Sequence, residues 1–337
     1  MSISNLFYEK MPEICQLDDG SINLKFVERS TWLRDLGASN IGTECKRSVW
    51  LDHRWCIEET DRSFDERVYR MFYRGHFEEE ILIKELIHAG HKVWQHDLNG
   101  KQFEFKSHSG HFKCHLDGII LYDKRQKCTF EAKMLNDKGF KLITDKGLKK
   151  AKPLYYTQVQ LGMHFSGIKK CLFIYRNKND DSTKKIFIDY NEQEALDFAK
   201  TIDIILNANE PIQKLKPNHS ECFFCDYKQL CHGKEIPKLN CRNCIYSTPT
   251  MDGDAKWICE KFNNKDLTKE EQNIGCNAHL LIPSIYNEEI LQAGKDFVLY
   301  QDGAINLSEC ENKDEMKKKA KTMNGFRPFG ITKQKRK

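Results

Sequence analysis

Three residues within one short stretch, 110–134 (GHFKCHLDGIILYDKRQKCTFEAKM), could hold a divalent metal and activate a water: Asp117, Glu131 and Lys133. Two carboxylates suit a hard, oxygen-seeking cation such as Mg²⁺, and an ammonium beside them can orient or help deprotonate an attacking water. The local pattern supports their convergence. Residues 115–122 are apolar and β-branched, 123–127 are polar and turn the chain, and 128–134 return it, so the stretch reads as a hairpin. Side chains alternate along a strand, which puts Glu131 and Lys133 on one face and points Phe130, Ala132 and Met134 into the core. The first strand then brings Asp117 beside Glu131 at a sheet edge. Taken alone, the same residues also fit an Asp-Gly turn followed by ordinary alternating charge on a solvated strand.

The second chemistry-bearing pattern is cysteine. Cys222, Cys225 and Cys231 lie close enough in SECFFCDYKQLCHG to share one metal centre, but a tetrahedral zinc or a cubane cluster needs a fourth ligand. Cys45 fills that place if its helix packs beside this turn, and His232 is the zinc-style alternative. A further group, Cys241, Cys244, Cys259 and Cys276 followed by His279, begins with a CxxC knuckle in a segment too short to bury a core of its own, which reads as a structural zinc site. Unrelated buried cysteines are the plain alternative for both groups.

The elements that must position these groups follow from periodicity. Residues 24–60 begin polar and turn helical at IGTECKRSVWLDHRW, with Ser39 or Asn40 as cap and Cys45 on the inward face. A longer helix is expected over 64–89, ending at Gly90. It carries RGHFEEE, where His76 shares a face with Glu79 or Glu80. Short strands (KVWQHDL, KQFEFKS) lead into the hairpin, a helix over 142–164 with Pro153 in an early turn carries Gln158, two strands follow, and an amphipathic helix spans 192–208. Strands flanked by helices on both sides in sequence give an α/β domain with a mixed central sheet.

The 337 residues are 39% hydrophobic and 31% charged, which suits one large domain plus a small one. No run of about 18 apolar residues predicts a membrane span. The N-terminus lacks a basic region followed by an apolar one, so a cytoplasmic location is expected, with the 14 cysteines as metal or cluster ligands rather than disulfides. The formal charge is +5, but residues 313–337 hold ten Lys/Arg against two Asp/Glu. That leaves a near-neutral body and a basic tail able to attract polyanions without sequence preference.

In this order, the residues resemble the RecB-like branch of the PD-(D/E)XK nucleases over 36–235, and more closely its iron–sulfur members, AddB-like and CRISPR-associated exonucleases. His76 matches the family's helical histidine, Asp117 in LDG its first carboxylate, Glu131 and Lys133 its ExK strand, and Gln158 in YYTQVQLGM the glutamine of the next motif. Cys45, followed at a distance by Cys222, Cys225 and Cys231, matches a split cysteine pattern that in the family holds a [4Fe–4S] cluster. GASNIGTECKRSVWLDHRW and GHFKCHLDG are similar to phage-encoded nucleases of this group, which would place the protein in a bacterial host cytoplasm. The chain departs from the family four residues after the glutamine, where relatives often carry tyrosine and this sequence has Gly162; Tyr155 or Tyr156 could substitute.

The resemblance implies a restriction-endonuclease-like α/β fold over 1–235; it does not include the second cysteine group, which reads as an appended zinc-binding module over 236–300, followed by a basic tail over 301–337. It implies Mg²⁺ or Mn²⁺ held by Asp117, Glu131 and His76, a water positioned by Lys133, and Gln158 orienting Lys133 or touching DNA. The expected activity is that of a DNA exonuclease on single strands or ends, with replication or recombination proteins as possible partners. The rival expectation is a non-catalytic nucleic-acid-binding or assembly protein on the same scaffold. Against it, clustered carboxylates repel unless a cation sits between them.

Overall fold

The computed structural model describes residues 36–57, 66–122 and 124–308, and the backbone alone of the short strands Glu13–Gln16, Ile22–Lys25 and Arg327–Phe329; side chains at 66–70 and 72 are outside the description. The charged tail, 313–337, therefore lies outside the described residues apart from the backbone of Arg327–Phe329.

A five-stranded mixed sheet holds the middle of the chain. Its strands are β1 (Lys92–Trp94), β2 (Gly118–Tyr122), β3 (Gln126–Leu135), β4 (Lys170–Asn177) and β5 (Thr183–Asp189), in spatial order β5-β4-β3-β2-β1. All neighbours are antiparallel except β3 and β4, which run parallel with Glu131 opposite Phe173. A parallel pair needs a crossover, and helices supply it. These are α3 (Asp137–Lys146), α4 (Leu148–Ala151) and α5 (Pro153–Ser166). The strand bearing Glu131 and Lys133 is thus the central one, where the sequence pattern had placed the site at a sheet edge.

Alternation along β4 feeds two cores. Leu172 and Ile174 pack with Ile120, Phe130 and the buried Leu82 and Ile83 of α2 (Glu66–His88). Cys171, Phe173 and Tyr175 pack with Ile143, Leu148, Val159 and Met163 from the crossover helices. The single helix expected over 142–164 is broken in three. Gly147 has φ 74, outside the helical region, and Lys152 is extended (φ −142, ψ 73) because the following Pro153 disfavours helical backbone there. Pro153 then opens α5, as its fixed φ favours.

The C-terminal segment, expected as an appended module over 236–300, makes extensive contacts with a helix near the start of the described chain. It is fastened to α1 (Lys46–His53) and the turn after it. Asn240 Nδ2 donates to Trp55 O (2.9 Å), Arg54 Nη1 donates to Arg242 O (2.8 Å), and Arg242 Nη1 donates to His53 O (3.1 Å). The Arg242 guanidinium lies 3.5 Å from the Trp55 ring centre. One apolar core joins Trp50, Leu51 and Phe112 with Leu281, Ile285 and Tyr300. The strand Ala304–Leu307 pairs with Phe297–Tyr300, so ordered sheet crosses the boundary expected at 300/301.

Candidate active site

Asp117 sits between the strand Phe112–His115 and β2, and its Oδ2 accepts the backbone N–H of Ala132 on β3 at 2.9 Å. That bond ties the first carboxylate to the strand carrying the second. Gly118, which follows, is needed at this crossing: a Cβ there would stand 2.9 Å from the Trp94 carbonyl oxygen of β1.

Glu131 is only 3% exposed, so the site is a buried recess and not a solvated strand face. Its Oε1 accepts from Lys133 Nζ and, at 2.8 Å, from Gln158 Nε2 on α5. Asp117, Glu131, Lys133 and Gln158 are therefore brought together, Asp117 from the link ahead of β2 rather than from within the strand expected over 115–122. Burial, and then the Asp117 carboxylate, push Glu131 up to about 7 against the pull of Lys133. For Lys133 burial alone would lower the pKa, but Glu131 and Asp117 outweigh it and hold the ammonium above its ordinary value.

A third carboxylate joins them. Glu79 of α2 is half-buried, and burial followed by Asp117 and Glu131 pushes it up to about 8. His76, expected as the helical metal ligand, is exposed one turn earlier on the same helix. Helical spacing alone left His76, Glu79 and Glu80 on neighbouring positions; in the structure Glu79 is the one that feels the charges of Asp117 and Glu131.

Tyr155 also belongs to the site. Lys133 Nζ lies 5.6 Å from its ring centre. At Gly162, seven residues after Tyr155 on α5, a Cβ would come within 2.9 Å of Leu116 Cδ2, the far end of a side chain that would have to give way. Tyr155 lies one turn before Gln158 on α5.

The cysteine groups also converge. Cys45, the N-cap of α1, lines a cavity of about 390 Å³ with Cys222 and Cys225, and Cys231 is buried nearby. Burial, with Cys231, Cys45 and Cys222 adding repulsion, pushes the Cys225 thiol up to about 11. His232 Nε2 lies 3.9 Å from Cys222 Sγ. Cys241, Cys244, Cys259, Cys276 and His279 line a second cavity of about 10 Å³. Burial and then the neighbouring thiols push Cys241 up to about 12. His279 Nε2 is 3.0 Å from Asn243 Oδ1, so that nitrogen is engaged elsewhere. Among the described residues, however, no group of three or more His, Cys, Asp or Glu side chains stands in a metal-holding arrangement, and the zinc centre expected here is not shown.

No known family model and no curated protein sequence matches this chain. Among solved structures it is similar to the alkaline exonuclease LHK-Exo from Laribacter hongkongensis, at 17% identity and a TM-score of 0.37, over 51% of this chain and 86% of the other. The same enzyme in complex with dAMP gives 16% identity and a TM-score of 0.38 over the same shares. SSO0001 is similar over 62% of this chain and 90% of its own, at 16% identity and a TM-score of 0.37. These distant likenesses assign no role to any residue. No helix among the described residues is long and apolar enough to cross a membrane.

Proposed function

We propose that this chain is a metal-dependent DNA nuclease, an exonuclease acting on single strands or strand ends in recombination, repair or replication. The observation that carries it is the convergence of Asp117, Glu131 and Lys133, with Gln158 bridging from α5, on the central strand of a mixed sheet. Three carboxyl groups in one recess repel each other when ionised, and a divalent cation relieves that repulsion. The donor set, oxygen-rich with one ammonium, fits Mg²⁺ or Mn²⁺ on Asp117 and Glu131, with the Glu79 carboxyl beside them.

Bound there, the metal would act as a Lewis acid on the phosphate and lower the pKa of a coordinated water. The chain's own groups do the rest. Lys133, held protonated between Glu131 and the Tyr155 ring, positions the attacking water and offers positive charge to the phosphate in the transition state. Gln158 fixes the Glu131 carboxylate through Oε1, leaving its other oxygen for the cation. Asp117 is oriented by the Ala132 amide. Release of label from end-labelled DNA, with Mn²⁺ and then with chelator, tests this reading.

The two cysteine groups enter the proposal as follows. Cys45, Cys222, Cys225 and Cys231 would hold a [4Fe–4S] cluster tying α1 to the turn at 222–231. Cys241, Cys244, Cys259 and Cys276 would hold Zn²⁺. What supports both assignments is that Cys45, Cys222 and Cys225 share one cavity and Cys241, Cys244, Cys259 and Cys276 another, where a metal would stabilise the thiolate forms.

A further inference from the structure

The crossover that links Lys133 to Tyr155 is strongly basic. Residues 138–152 contain six lysines and one acid, Asp145. Lys149 is neutralised by Glu194 of α6 (Glu192–Asn207). The other five, Lys138, Lys141, Lys146, Lys150 and Lys152, make no side-chain hydrogen bond or ion pair among the described residues, and all but the half-buried Lys152 are exposed. Lys184 of β5 adds a further cation, 5.7 Å from the ring centre of Phe140 on α3.

Two of these lysines stand where the fold itself disfavours a cation. Lys138 is in the first turn of α3 and Lys152 is the N-cap of α5, both at the positive end of a helix. Asp137, the neighbouring acid in the first turn of α3, is engaged by Asn177 and Asn179, so its charge is shared with that loop. A helix N-terminus and a lysine at one spot add up to a field that attracts an anion. Along α3, Lys138 to Lys146 spans about 12 Å at 1.5 Å per residue. That reach matches roughly three to four phosphates of a nucleic-acid strand at about 3.4 Å each. At its far end the ridge passes from Lys152 to Tyr155, whose ring lies against Lys133.

We propose that the lysine ridge of α3 and α4 is the track on which the sugar–phosphate backbone of the DNA strand lies as it enters the site at Lys133. The proposal rests on the nuclease reading and adds a binding surface within the described fold, separate from the basic tail. The ridge contacts phosphates only, so it grips any sequence and sets affinity and its salt dependence.

The test is the triple variant Lys138→Gln/Lys141→Gln/Lys150→Gln. It spares Lys146 in the last turn of α3 and Lys152 at the cap, and exposed substitutions away from caps and packing leave stability nearly unchanged. Fluorescence anisotropy with a labelled single-stranded oligonucleotide, without divalent metal and between 50 and 200 mM salt, reads affinity and slope. Each lost phosphate contact lowers the log–log slope by about 0.7 for a single strand, so the slope should fall by about 2 and affinity at low salt by at least about tenfold. A Lys200→Gln control on α6, where the lysine pairs with Asp197, should bind as wild type. Affinity and slope unchanged in the triple variant would overturn the ridge, as would a wild-type protein with no salt-dependent DNA binding. Salt-dependent binding lost in the variant, from a wild type that never cleaves, would instead remove the nuclease reading and leave the ridge as a binding surface.

Discussion

Gln158 Nε2 donates, at 2.8 Å, to the same Glu131 oxygen that accepts Lys133 Nζ. One carboxylate oxygen thus collects the donors of two elements, the central strand and the last crossover helix. Gln158→Leu removes one of them and frees Glu131 to swing. Turnover is expected to fall by about tenfold to a hundredfold, the range for losing a group that orients a metal ligand, while the circular dichroism spectrum stays that of wild type. Steady-state cleavage of end-labelled DNA by the variant measures it.

Gly162 marks a packing limit. Because a Cβ there would meet only the far end of the Leu116 side chain, Cδ2, at 2.9 Å, Gly162→Ala should cost no more than about 1 kcal/mol, the low end of the overpacking penalty. Gly162→Tyr adds a whole ring at the same contact and should destabilise the domain more than Gly162→Ala. Urea denaturation of both variants checks the order.

The hairpin was legible in the sequence because alternation and turn chemistry are local: 115–122 and 128–134 predicted β2 and the second half of β3. Glu131, Lys133 and Gln158 could be read because each sits at a fixed position on its element, and Asp117 because it directly precedes β2. Glu79 could not be chosen over His76, since that depends on which side of α2 faces Asp117 and Glu131. The break of the crossover into three helices was written at Gly147 and at Lys152–Pro153, but the helical spacing of the apolar residues around them masked it. The union of the C-terminal segment with α1 was hidden for a different reason. It rests on pairs such as Arg54 and Arg242, 188 positions apart, and no local pattern reports a contact of that range.

That union makes a prediction. Trp257 is fully buried, with the guanidinium groups of Arg54 and Arg242 each 5.1 Å from its ring centre. Trp257→Ala should cost about 3–5 kcal/mol, and the loss should appear in one cooperative transition shared by the whole protein. Calorimetry resolving a separate early transition for the C-terminal segment would show it to be autonomous after all.

His53 sets an acid limit on stability. It is 3% exposed, neither ring nitrogen has a hydrogen-bond partner among the described residues, and burial, followed by Arg242 and Arg54, holds its pKa well below the ordinary histidine value. The unfolded chain therefore binds this proton first, near pH 6.5, and the folded state only at much lower pH. Stability from this group is full above about pH 6.5 and declines as pH falls below it, by at most about 1.4 kcal/mol per pH unit. His53→Gln should flatten the acid limb of a plot of stability against pH between 6.5 and 5, measured by urea denaturation; an identical limb would show that His53 does not titrate on unfolding.

The most direct test of the central claim is the rate at which Lys133→Ala releases label from end-labelled DNA in Mg²⁺ or Mn²⁺, beside wild type. Removing the ammonium leaves Glu131 buried, but a carboxyl already pushed up to about 7 can take a proton, so the fold should survive. If Lys133 positions the water and stabilises the phosphate in the transition state, its loss should cost about 4 kcal/mol, or about 10³-fold in rate. The prediction is chelator-sensitive cleavage by wild type and a loss of that size in a folded variant that still binds DNA. Near wild-type cleavage by Lys133→Ala, or none by wild type with either metal, would contradict it.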